Sequence, residues 1–500
     1  MKKNYIYTVI TALALSTGCQ KELDQTPIST ATTETFFASN SDFIQATNAV
    51  YAGLKTYPDR MLNLSEIRSD NLYAVADGPR DWEPINNFAR SISSNPYIQE
   101  AWNTNLNAIY RANTLLDKLN TNGSVITDAA LRTRLTAEAR FLRAFYYFDL
   151  VRWFGKVPIA DKVLSIAEAS TVPRSPVAAV YDFIINDLKF AADNLPDIYS
   201  AAADKGRATK WAAKGFLAEV YMTRSGPTYS IEGPGLATND WQTALGLLNE
   251  VIGSGRYSFS TSYANIFSYT NENNSEVVFD VQYSTGSNPV VGSTFAWLLV
   301  PDTYFLSISK PIQGGLQIKP VSNNLVNSYA ANDIRKAFNI NSTPFTNAGV
   351  TETRPFFKKY LDITRIPVNR VDWPINYIAL RYTDVLMLKA ECILHGAAGT
   401  QADVDGVMNQ VRGRAGITVP VAGTTLAQLM EERRREFAAE GLRWHDLVRS
   451  GLVNTVIPAW ITQDDISKSI AAFNNNYIIY PVPQAELNAV PGLYTQNAGY

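Results

Sequence analysis

The sequence predicts a mainly α-helical protein: tetratricopeptide-like helix hairpins packed against an irregular region of loops and short strands. Two observations carry this. Apolar residues recur at helical spacing in a series of long segments. Two long stretches, near 60–95 and 258–376, break that pattern with Asn, Ser, Thr, Gly and Pro. At 46% hydrophobic residues, the 500-residue chain can bury a large core.

Residues 1–18 read as a signal peptide: Lys2 and Lys3, an apolar run from Tyr5 to Leu15, then small residues. The run is too short to span a bilayer, which takes about 20 apolar residues. Cys19 follows "LSTG" and is expected to be the lipidated first residue of the mature chain, although Leu15 stands four places before it rather than three. An ordinary leader with an incidental cysteine is the alternative. Residues 19–41 are then a polar tether, and 42–500 a single domain.

Helices are expected at Asp42–Lys55, Gln99–Leu119, Leu131–Phe154, Val177–Leu195, Thr209–Arg224 and Asp240–Ile252. Gly155 and Pro158 stop the third, and Pro196 the fourth. "SEVVFDVQY" (Ser275–Tyr283) reads as a buried strand. Helices return at Ile378–Leu394, Asp403–Arg414 and Thr425–Ser450. In the last, Met430, Phe437, Gly441, Trp444 and Val448 form one apolar stripe. Glu431–Arg435, Arg433–Glu436, Glu440–Arg443 and Asp446–Arg449 are spaced as near-neighbour ion pairs. Gly441 either breaks this helix or admits a close neighbour. His445 and Asp446 point about 100° apart on a helix and form no dyad.

Lys plus Arg total 44 against 46 Asp plus Glu, so no basic footprint for nucleic acid exists. Two cysteines and two histidines exclude a disulfide framework or a Cys/His metal cluster. No nucleophile motif or phosphate loop is present, and no enzyme activity, cofactor or metal is expected. Cys392 reads as a buried small hydrophobe, and His395 as a helix end.

Four segments in register carry a resemblance: "AEARFLRAFYYFDLVRWFGKVPI" (137–159), "RATKWAAKGFLAEVYM" (207–222), "LRYTDVLMLKAEC" (380–392) and "ERRREFAAEGLRWHDLVRSG" (432–451). With the lipoprotein start, the chain resembles the SusD/RagB family of surface glycan-binding outer-membrane lipoproteins. The resemblance implies a lipid-anchored protein facing the cell exterior. It would capture an oligosaccharide or polysaccharide and deliver it to a SusC-like TonB-dependent transporter, with the binding surface on loops outside the repeats. Two alternatives share this architecture: a peptide-capturing lipoprotein, and a transporter lid with little affinity of its own.

Sugar rings pack their C–H faces on aromatic rings and turn their hydroxyls to planar polar groups. Both irregular stretches offer these. The first holds Asp70, Asn71, Tyr73, Arg80, Asp81 and Trp82; the second holds Tyr283, Asn288, Trp297 and Tyr304. "RVDWPINY" adds Asp372, Trp373 and Tyr377. The candidate glycan-binding residues are therefore Trp82, Trp297, Trp373, Tyr73, Tyr304, Arg80, Asp70 and Asn71. Trp102, Trp153, Trp211 and Trp444 lie in helical stripes and are assigned to the core.

Overall fold

The structure, a computed structural model, describes residues 36–74, 80–286, 289–311, 317–465 and 468–500. The leader, Cys19, most of the tether and Asn288 lie outside the described residues.

Helix α1 (Asn40–Tyr51) starts at a capping box on Ser39 and Asp42. Helix α2 (Pro96–Thr121) is capped by Asn95, whose side chain accepts from Tyr97 N–H. Helix α3 (Ala129–Phe154) is capped by Asp128 and stops at Gly155, φ +66°. From Ala137 to Phe154 every residue but Arg140 is buried, so α3 is the central rod. There follow α4 (Val177–Asn194), α5 (Lys210–Ser225), α6 (Trp241–Gly253), α7 (Tyr382–Leu394) and α8 (Gln401–Arg414). From α2 to α8 each helix packs on the next, the one-dimensional stacking of a helical-repeat protein. Helices α9 (Leu426–Glu436), α10 (Arg443–Ser450) and α11 (Val453–Asp464) close the array.

Strand β1 (Val277–Val281) pairs antiparallel with β2 (Tyr377–Arg381), in register from Val277↔Arg381 to Val281↔Tyr377 with a shift at Phe279. Residues 378–381, expected as the start of a helix, are thus a strand. They fill the partner edge of β1, and α7 starts only where Tyr382 N–H reaches Glu276 O. The first irregular stretch is also more ordered than expected, being helical over 57–66.

The expected helix Thr425–Ser450 breaks at 437–442. Ala439 and Gly441 take positive φ, +66° and +72°. A Cβ on Gly441 would sit 2.6 Å from the Cβ of Met61, so glycine both turns the chain and admits a neighbour. Trp102, Trp153 and Trp444 are core, as expected, but Trp211 is half-buried and donates to Asp197. His395 ends α7 and lies flat on Trp241, with centroids 3.8 Å apart. His445 packs on Trp153, and burial lowers its proton affinity well below the ordinary range. Cys392 is buried, and burial pushes its thiol up.

The arginine-rich stretch is interior rather than a solvated face. Glu436 accepts from Arg335 (2.9 Å), Arg381 (2.8 Å) and Arg414 (2.6 Å). Glu440 accepts from Arg381 and Lys359. Arg433 bridges Asp384 and Asp446, and Arg449 forks onto Glu391. Of the four near-neighbour pairs expected, Asp446–Arg449 forms, at 2.7 Å. Arg433 and Arg443 turn to distant carboxylates instead, because buried charges need full, well-oriented partners.

Burial opposes ionisation of Glu436, but the guanidiniums of Arg414, Arg381 and Arg335 outweigh it and hold the carboxyl far below its ordinary value of 4.5. A depressed folded-state pKa stabilises above the unfolded value and is lost as pH falls below it. Glu436→Gln should therefore cost about 3–5 kcal/mol in urea unfolding at pH 7, the usual range for breaking a buried pair. It should also flatten the loss of stability below pH 4.5. An unchanged urea midpoint would refute this account of the network.

Candidate functional site

The two irregular stretches and the "RVDWPINY" segment meet on one face of the molecule, stitched by backbone pairs. Leu72 bridges Val321, and Ser293 bridges Trp373. Tyr73 N–H donates to Pro320 O at 3.1 Å, and Ser322 N–H to Asn71 O at 2.9 Å. Arg80 Nε donates to Gln317 Oε1 at 2.8 Å, joining the first stretch to the second across 237 positions of sequence.

On this face the structure separates the eight candidates. Asp70 and Asn71 are buried and held by interior partners. Asp70 is 1% exposed and takes a forked pair from Arg443, at 2.8 and 2.9 Å. Burial opposes its ionisation, but Arg434 and Arg443 hold the carboxyl below its usual range. Asn71 accepts from Arg434 and donates to Glu66. Trp82 and Trp373, 4% and 1% exposed, are also core; Trp373 packs on Phe305, with centroids 6.2 Å apart. Their ring faces are spent on packing, because the loops fold into a layer with a core of its own.

Tyr73, Arg80 and Tyr304 remain partly accessible. Tyr304 stands at the edge of the hairpin Phe345–Glu352, its ring 5.4 Å from Phe345 and 5.0 Å from Phe356. Trp297 is intermediate in character. It is 8% exposed, its indole N–H faces Asp302 at 3.3 Å, and Arg370 covers its ring at 4.4 Å. A guanidinium stacked on an indole occupies the place a sugar face would take. Trp297, Trp373, Phe305 and Arg370 line one narrow cavity.

Sequence reasoning did not find the polar floor beneath this face. Thr294 donates to Asp59, and Lys319 Nζ donates to Leu298 O at 2.9 Å. Burial pushes the Asp59 carboxyl up to about 7 and the Lys319 ammonium down to about 8. Arg370 and Gln317 were likewise missed. Lys319 carried a faint signal, a lysine between apolar Ile318 and Pro320 in a stretch with few charges. Among the described residues there is no cluster of metal-ligating side chains.

The face is thus a mixed aromatic and polar surface carried on a helical-repeat scaffold. Residues 23–222 match the family model described as "Starch-binding associating with outer membrane", and residues 263–500 match the model of the SusD family. The chain belongs to the SusD family. A SusD-like protein from Bacteroides ovatus is 28% identical over 470 residues, 90% of this chain and 82% of that protein. Among solved structures, surface glycan-binding protein A from Bacteroides uniformis is similar at a TM-score of 0.76 and 24% identity, over 92% of this chain and 100% of that one. A laminarin-binding SusD-like protein is similar at a TM-score of 0.74 and 25% identity, over 92% and 100%.

Asp70→Asn should lower the thermal unfolding midpoint by several degrees, because Arg443 and Arg434 would lose their buried counter-charge. Tyr304→Ala, at the accessible edge, should leave that midpoint nearly unchanged. The reverse order would return Asp70 to the ligand surface.

Proposed function

We propose that this protein is a lipid-anchored lipoprotein on the exterior of the outer membrane. It binds an oligosaccharide or polysaccharide and hands it to a TonB-dependent transporter, without catalysis. The observation that carries the reading is the loop face. Tyr73, Arg80 and Tyr304 come from distant parts of the chain to one surface, and the similar solved structures include a laminarin-binding protein. Rings offer stacking surfaces, and Arg80, Gln317 and Asp81 offer planar groups at the edge for hydroxyls. Cys19 holds the protein at the membrane, and residues 1–18 direct its export.

Affinity electrophoresis and calorimetry of the lipid-free protein against laminarin, starch and xylan would test the reading. Arg80→Ala and Tyr304→Ala should each weaken binding to the retained glycan about five- to tenfold, the loss of one good polar or stacking contact. Retention of peptides with no retention of any glycan would instead favour peptide capture. Cys19→Ala should abolish incorporation of labelled palmitate and move the protein from the membrane to the soluble fraction. Labelling that persists in the variant would refute the anchor.

A further inference from the structure

Away from the loop face, two cavities of about 320 Å³ each lie side by side where the helical array meets β1. Lys205, Gly206, Arg207 and Asp280 line both. One opens toward Tyr51 and Tyr283, the other toward Tyr199 and Tyr257.

Asp280 is the fourth residue of β1 and is 3% exposed. Its carboxylate accepts from the side-chain amides of Gln282 and Asn376. No guanidinium or ammonium forms an ion pair with it among the described residues, in contrast to the paired carboxylates around α9. Burial pushes this carboxyl up to about 7, so full ionisation is disfavoured, and donors arriving from a ligand would relieve it. Lys205 is exposed, and its charge acts on Asp280 and Glu272.

Lys205, Gly206, Arg207 and Asp280 form the wall the cavities share, and Gln282 lines the first cavity only. Gln282 lies across Gly206, where a Cβ would meet its Cγ at 2.3 Å. Its amide is held by Asn273 in a reciprocal pair, 3.0 and 3.3 Å. Gly206 has φ +83°, so it serves both the turn and the close approach. The two cavities share these four lining residues and together make one trough along the junction of the helical array with β1.

We propose that this trough is a second carbohydrate-binding site, separate from the loop face, which takes a hydroxyl-rich oligosaccharide. Ligand hydroxyls donate to Asp280 and accept from Lys205. The amides of Asn273 and Gln282 do both, and the tyrosines at either mouth offer faces for C–H packing. The proposal rests on the glycan-binding reading above.

The test is to soak crystals of the lipid-free protein in laminarihexaose, maltohexaose, xylohexaose and mannohexaose, and to titrate each hexaose in solution. Density in the trough, with affinity reduced about tenfold in Lys205→Ala and in Asp280→Asn but unaffected at that site by Tyr304→Ala, is the expected result. Density on the loop face with an empty trough, or trough density whose solution affinity neither variant changes, would overturn this inference and leave the proposed function standing. Density at neither place and no heat from any hexaose would overturn both. Circular dichroism of each variant establishes that a lost signal is not lost folding, and Lys205→Ala, at an exposed position, carries the test if Asp280→Asn does not fold.

Discussion

The buried carboxylate of Glu436, bracketed by Arg335, Arg381 and Arg414, is the interaction on which the rest depends. Its three partners come from the second irregular stretch, from β2 and from α8. A charge taken out of water is costly unless it is paired and hydrogen-bonded. Each arginine is itself satisfied elsewhere: Arg335 by Asp333 and Glu432, Arg381 by Glu440, Arg414 by Glu276. The network therefore specifies how the irregular region docks on the repeats. Hydrophobic contact is non-directional and could accept several arrangements, whereas forked guanidinium pairs accept few.

The same logic extends to the binding face. Arg434 and Arg443, on either side of the break in the arginine-rich stretch, hold Asn71 and Asp70. Glu66 receives the backbone N–H groups of Ala439 and Gly441 inside that break. The positive φ values at 439 and 441 are what aim those donors at Glu66. Loops carrying a ligand surface must be held in place by something other than their own sparse backbone pairing, and here buried ion pairs at their base do it. The aromatic surface stays irregular enough to vary while its foundation does not.

Much of the scaffold was legible in the sequence. The boundaries of α2 to α6 follow the apolar spacing and the stop signals within three residues. The binding face was legible as a location only. Loop tryptophans looked like platforms, yet Trp82 and Trp373 are buried, because a loop region this long forms a core of its own and takes the largest rings first. Asp70 and Asn71 looked like ligand groups because their arginine partners, Arg443 and Arg434, lie more than 360 positions away. Conversely, Arg370 and Lys319 acquire meaning only from Trp297 and Asp59, which no spacing links to them.

Helix positions, the family and the segments that reach the binding face are consequences of local pattern, which the sequence carries by itself: propensity, periodicity and capping act within a few residues. Which rings remain open, which charges are spent inside and where two cavities adjoin at Asp280 were decided by the tertiary structure alone. Those outcomes depend on desolvation and on partners distant in sequence. Both are properties of the packed chain, and neither is written in the residues taken one segment at a time.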